Sequence, residues 1–210
     1  MNNRPIATGS HNGYEYVDLG LSVKWATCNV GADTPEEYGL WYPWGEVNNR
    51  GNFDWVSYKF YLYSRGSCHT VSKYIRDSEH GTVDNRTILD LEDDVAHINW
   101  GCNWRMPTSA EIDELCDNCT SKWTSLDGVP GCRFTSNKPG YTDRFIFLPA
   151  AGFRDDLNDS KYVKVGSLGL YWSNTLYYGG KGYCLALDHF GAGWDYHERY
   201  CGLTVRPVCL

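Results

Sequence analysis

No run of Lys or Arg occurs anywhere in this 210-residue chain. Binding along a nucleic-acid backbone needs a concentrated basic footprint. With 19 basic against 26 acidic residues the net charge is −7, so neither nucleic acid nor an anionic membrane is expected as a partner. No stretch approaches the roughly eighteen apolar residues of a membrane span, so no membrane insertion is expected. Residues 1–10 lack the apolar core of a signal peptide. On that reading the protein stays in the cytoplasm, reaches a cell surface or phage particle by another route, or lost a signal before residue 1. Internal repeats and low-complexity tracts are also missing.

Cysteine is present but in the wrong number for a paired framework. Nine occur, at Cys28, Cys68, Cys102, Cys116, Cys119, Cys132, Cys184, Cys201 and Cys209. An odd count this sparse fits reduced, buried thiols better than a disulfide scaffold. What the chain does have is aromatic mass, with 9 Trp and 16 Tyr. Such residues carry large packing area each, which suits a loop-rich fold with few long elements. One domain of this length buries roughly 70% of its unfolded surface.

Taken in order, residues 1–12 are polar and turn-forming and are expected as a flexible tail, with a single domain over 13–210. Residues 14–19 and 23–26 read as short strands. Thr34, Pro35, Glu37 and Gly39 spell a helix of one or two turns. Pro43 and Gly45 argue against a central strand around Trp41. Residues 48–86 read as a long excursion with short strands at best, pinned to the body by Trp55, Tyr58, Phe60 and Tyr61. Residues 91–99 read as a short helix with Leu91, Val95 and Ile98 on one face. A second helix starts at Thr108, whose capping box closes at Glu111, and places Ile112, Leu115, Cys116 and Cys119 on one face. Asp127-Gly128 is a hairpin turn. Phe145-Ile146-Phe147-Leu148 reads as a buried strand stopped by Pro149, with a hairpin return from Ala151. Four more strands are expected beyond it. The sum is α+β, with short helices packed on antiparallel strands.

The last forty residues set the functional problem. Tyr183, Leu185 and Leu187 alternate with Cys184, Ala186 and Asp188, so one face of a strand is apolar. Segments rich in Tyr, Gly, Asp and His surround it. Large rigid tyrosines beside small adaptable residues are how antibody paratopes are composed.

Several motifs together resemble a known family. They are Tyr16-Val17-Asp18-Leu19-Gly20-Leu21-Ser22-Val23-Lys24-Trp25-Ala26, then Asn99-Trp100-Gly101-Cys102-Asn103-Trp104-Arg105-Met106-Pro107-Thr108. Phe147-Leu148-Pro149-Ala150-Ala151-Gly152, Tyr171-Trp172-Ser173 and Gly202-Leu203-Thr204-Val205-Arg206-Pro207-Val208 follow. In this order they resemble a paralogous surface domain of gut bacteria, of the C-type lectin fold in its formylglycine-generating-enzyme-like branch. Members with this C-terminus include variable proteins of diversity-generating retroelements, carried by phage or prophage and similar in role to the phage major tropism determinant. The resemblance implies a hypervariable ligand-binding surface over about 168–208, diversified at template adenines, that recognises an unknown protein or cell-surface target. It implies no enzyme activity and no cofactor, and a monomer or small homo-oligomer. The expected contact residues are Tyr177, Tyr178, Asp188, His189, Asp195, Tyr196, His197 and Tyr200. Leu170, Asn174, Leu176, Cys184, Ala186, Gly191 and Trp194 flank them. Mutated AAC or AAT codons cannot yield Lys, Glu or Trp, and from 176 to 201 only Lys181, Trp194 and Glu198 lie outside the reachable set.

Other constellations carry weaker signals. Cys116 and Cys119 have zinc-like spacing, with Cys102, Cys132 or His97 as partners, but their helical face favours buried thiols. Asp188-His189 and Asp195-Tyr196-His197 could serve a metal or acid–base group, yet they fall in the presumed variable surface. Cys184, Cys201 and Cys209 invite comparison with the cysteines of formylglycine-generating enzymes, but Cys201 and Cys209 flank the terminal strand and do not match that enzyme's pair, and the chain is short for it. The tripeptides with which calcium-dependent lectins read sugars are missing; the nearest candidate is Trp194-Asp195-Tyr196. Trp100, Trp104, Arg105, Trp172 and Arg206 read as scaffold. A fixed adhesin and an enzyme of the formylglycine-generating type are the competing readings.

Overall fold

The computed structural model describes residues 4–66, 68–156 and 160–210. In chain order the strands are β1 (Gly9–His11), β2 (Tyr14–Val17), β3 (Lys24–Ala26), β4 (Tyr61–Arg65) and β5 (Cys68–Val71). Two short α-helices follow, α1 (Val95–Trp100) and α2 (Ser109–Asn118). Next come β6 (Cys119–Leu126), β7 (Val129–Ser136), β8 (Phe145–Pro149), β9 (Phe153–Asp155) and β10 (Ser160–Val163). The chain closes with β11 (Gly169–Leu176), β12 (Lys181–Asp188), β13 (Gly191–Glu198) and β14 (Val208–Cys209). Pairings between these strands are antiparallel, so the class is α+β as the sequence indicates.

Three sheets do most of the building: β1-β2-β3-β14, β6-β7-β8 and β11-β12-β13. β14 pairs with β3, placing Val208 opposite Trp25, so the two ends of the chain share one sheet. The meander β11-β12-β13 lies between two apolar cores. Leu170, Trp172, Leu176 and Cys184 face one, with Trp44, Trp55 and Trp104. Tyr171, Leu185 and Leu187 face the other, with Trp25, Ile112 and Leu115.

Local chemistry explains several elements. The Thr108 hydroxyl accepts from Glu111 N while the Glu111 carboxylate accepts from Thr108 N, the expected capping box. Asp127 and Gly128 take φ of 47° and 86°, the left-handed pair that a two-residue hairpin needs. Trp100, Trp104, Trp172 and Arg206 are buried scaffold. Arg206 donates to Asn29 Oδ1 and to the carbonyls of Ala26, Thr27 and Phe147. Arg105 grips Glu111 through both terminal guanidinium nitrogens.

Elsewhere the structure corrects the sequence. Residues 1–3 of the expected tail lie outside the described residues, and the rest is ordered. β1 pairs with β2, and Arg4 is bound by Glu36 and Asp127. The segment around Thr34 makes a single turn rather than a helix. Glu37 does reach back to the amides of Asp33 and Thr34, but Gly39 turns the chain at φ 71° and Leu40 N bonds Val30 O. In α1 the buried residues are Val95, Ala96 and Trp100, whereas Leu91 and Ile98 are exposed. Capping by the buried Asp94 sets that rotation, because its carboxylate also accepts from Met106 N. Cys119 begins β6 instead of ending α2. After Ala151 the chain pairs β9 with β10 and not back onto β8.

Candidate functional site

β11 is the most enclosed strand of the meander. Its residues carry no alternation because both of its faces are covered, one by each core. Leu170, Asn174, Leu176 and Cys184 are therefore interior residues, 2–4% exposed for the first three and 1% for Cys184, and not surface flanks. Asn174 holds the chain rather than a ligand: its carbonyl accepts from Leu89 N and its amide donates to Pro107 O. Tyr200 is buried as well, though its ring borders a cleft described below.

β13 is the exposed partner of the meander. Its register against β12 sets Lys181 opposite Glu198, Tyr183 opposite Tyr196, Cys184 opposite Asp195 and Leu185 opposite Trp194. Directly opposed residues share a face. One face thus carries an aromatic row. Tyr177 stacks on Tyr196 at 4.3 Å with rings 4° apart, and Tyr183 meets Tyr177 edge-on at 4.9 Å. Trp194, 59% exposed, continues the row beside Tyr183. The other face carries Asp195, which is exposed, and His197, which is half-buried against the Phe153 ring at 4.7 Å. Burial lowers the His197 pKa, which favours the neutral imidazole.

Between this row and the excursion of residues 48–86 lies a cleft of about 990 Å³. One wall is the β11–β12 turn with the end of β13, supplying Tyr177, Tyr178, Lys181, Tyr196 and Glu198. The facing wall comes from Asp54, Trp55, Tyr61, Ser64, His69 and His80. Trp55 stacks on His69 at 4.4 Å and leans on Tyr200 at 5.2 Å. Tyr61 and Ser64 share a hydrogen bond of 3.0 Å, and Ser64 Oγ lies 3.0 Å from His69 Nδ1. The Ser64–His69 contact follows from hairpin register, since the two are cross-strand partners in β4 and β5. Burial raises the Glu198 pKa against the pull of Lys181, and burial with the neighbouring His80 lowers that of His69.

Both walls hang on one buried side chain. Arg199 donates to Lys73 O and Tyr74 O in the excursion and to Gly179 O in the β11–β12 turn. Its guanidinium lies 5.1 Å from the Trp44 ring centroid. Tyr178 adds an outer clasp, its hydroxyl donating to Asp77 at 2.5 Å. Gly180 lies so close to Trp55 that a Cβ there would fall 2.8 Å from the indole.

The other expected site residues fall elsewhere. Ala186, Asp188, Gly191 and Trp194 border a second hollow of about 300 Å³ at the β12–β13 hairpin. Asp188 Oδ1 accepts from Phe190 N and Gly191 N, so it fixes the hairpin turn. His189 is exposed at the tip, its ring against Phe190. Asp188 and Asp195 do not form one group: Asp188 pairs with Gly191, four residues from Asp195, a separation of roughly 13 Å along a strand. The structure thus brings together Tyr177, Tyr178, Tyr196 and Tyr200, and it separates them from the hairpin set. The wall from Asp54 to His80 was not foreseen as part of a site. Its only signal was the aromatic density of a segment too long for a passive loop.

Burial pushes the Cys116 and Cys132 thiols up to about 11 and Cys119 to about 12. Asp90, Glu92 and Asp93 converge within reach of a cation, and the Lys73 ammonium sits among them at 2.8, 2.9 and 2.6 Å. Among the described residues no helix is long and apolar enough to cross a membrane. Compared with protein-family models, curated proteins and solved structures, the chain matches none of them.

Proposed function

We propose that this chain is a recognition protein on a C-type-lectin-like scaffold of the formylglycine-generating-enzyme-like branch, a variable protein of a diversity-generating retroelement. Its target is a protein or cell-surface ligand. The observation that carries the reading is the division of the C-terminal stretch. Tyr178, His189, Trp194, Asp195 and Tyr196 face solvent, while their neighbours in β11 and β12 are locked in two cores. Side chains that face solvent from a rigid backbone are what preorganised recognition requires.

Lys181, Trp194 and Glu198, which adenine mutation of AAC or AAT cannot produce, all lie on the aromatic face of β12 and β13. The opposite face carries only reachable types, and at Gly193 an added Cβ would meet nothing within 4 Å. An enzyme of the formylglycine-generating type is disfavoured by its own nucleophile. Cys184, Cys201 and Cys209 are at most 1% exposed, and burial raises all three thiols, so thiolate is scarce at neutral pH.

Reading the DNA beside the gene tests the proposal. A near-copy of the 3′ end that differs at adenines, next to a reverse transcriptase gene, is the expected finding. Its absence leaves a fixed adhesin and removes the variable protein.

A further inference from the structure

We infer that the cleft beside Tyr196 takes an organic cation, a lysine ammonium or arginine guanidinium displayed on a polypeptide. This rests on reading the cleft as a recognition site and names its ligand class. The guide is a cation the protein already places there. Lys181 Nζ sits 4.8 Å from the Tyr196 ring centroid and 3.6 Å from Glu198 Oε1. An aromatic face with a carboxylate beside it is the arrangement that binds ammonium and guanidinium groups.

The arrangement is held in advance of any ligand. Tyr177 stacks on Tyr196 with rings 4° apart, so the ring cannot swing away freely. Lys181 itself is a weak occupant. Its side chain is 39% exposed and Glu198 35%, and exposed ion pairs of this kind are easily exchanged. Around it the cleft carries the carboxylates of Asp54, Asp156 and Glu198. The net charge of −7 draws cations from a distance. Size selects the source. A cleft of about 990 Å³ is far larger than one ammonium group and has room for a side chain with flanking backbone.

Titration of the whole protein with small probes, followed by calorimetry and by tyrosine NMR signals, tests this. The probes are Nα-acetyl-lysine N-methylamide, its arginine counterpart, the neutral norleucine isostere and tetramethylammonium. The lysine and arginine probes are expected to bind about tenfold more tightly than norleucine, and more tightly than tetramethylammonium. Lys181→Met removes the internal competitor and should tighten the lysine probe about threefold or more. Glu198→Gln should weaken it about tenfold. Thermal melting of both variants checks that they fold, and Lys181→Gln repeats the first comparison with a polar side chain. No binding by any probe, equal binding of norleucine, or weaker binding in both Lys181 variants overturns the inference. Tetramethylammonium binding as tightly as the lysine probe overturns the polypeptide source. The DNA comparison is blind to ligand charge, so the two ideas fail separately.

Discussion

The Arg199 guanidinium donates to the Gly179 carbonyl at 2.7 Å, and the same nitrogen donates to Tyr74 O at 2.6 Å. One fully buried cation therefore ties the β11–β12 turn to the excursion that faces it. Replacing it by Met removes the donor from the carbonyl of buried Tyr74 and from those of half-buried Lys73 and Gly179, at about 1–3 kcal/mol for each one left unsatisfied. Arg199→Met is expected to lose at least about 3 kcal/mol in urea unfolding. Arg199→Lys recovers little, because a point charge cannot reproduce the fork. The exposed Arg86→Met should shift stability by no more than about 0.5 kcal/mol.

Two glycines of the meander should respond in opposite ways. A Cβ on Gly182 would fall 2.8–3.0 Å from the Trp44 indole, which is itself fully buried. Gly182→Ala is expected to cost about 1–3 kcal/mol through overpacking. Gly193 has open space around it and an ordinary backbone. Gly193→Ala should be neutral or stabilise by about 0.4–1 kcal/mol, by restricting the unfolded chain. Urea midpoints of the two variants, measured side by side, decide this.

The aromatic row and the core below it should also separate. Trp194 is 59% exposed and Trp172 is 0% exposed. Trp172→Ala should cost about 3–5 kcal/mol. Trp194→Ala should cost less than about 1 kcal/mol, and Tyr196→Ala about 0.5–1.5 kcal/mol for the lost Tyr177 stack. Thermal melting of the three variants checks the order.

Acid should weaken the excursion's anchorage. Burial raises the Asp93 pKa, but Lys59, Lys73 and Tyr74 together outweigh it and hold the carboxyl below its ordinary value. Glu111 is likewise held down by Arg105 and Thr108 against its burial. Both carboxyls bind protons less readily in the folded chain. Their stabilisation is complete above the unfolded carboxylate pKa of about 4 and drains as pH falls through the lower folded values. Asp94 and Glu198, raised by burial, run the other way. Urea midpoints from about pH 5 down to about pH 3 should fall, and Asp93→Asn should flatten part of that fall.

The elements with local chemistry were legible in the sequence. Thr108 with Glu111, Asp127 with Gly128, and the apolar run before Pro149 each specify their structure within a few residues. What escaped depends on distant partners. Nothing local to Leu170, Asn174 or Cys184 says that a second core covers their face. The helix signal at Thr34 was real in its hydrogen bonds, yet Gly39 and Val30 stop it after one turn. Half of the cleft was unreadable because its wall is built across more than a hundred residues, from Trp55 to Tyr200.

The most direct measurement is to sequence codons 168–208 of this gene in independent isolates. Differences are expected to gather at Tyr177, Tyr178, His189, Gly193, Asp195, Tyr196 and His197. They should spare Gly182, Cys184, Arg199, Gly202 and Arg206. Codons that are invariant throughout, or changes that fall as often on the spared positions as on the exposed ones, would contradict a displayed and replaceable recognition surface.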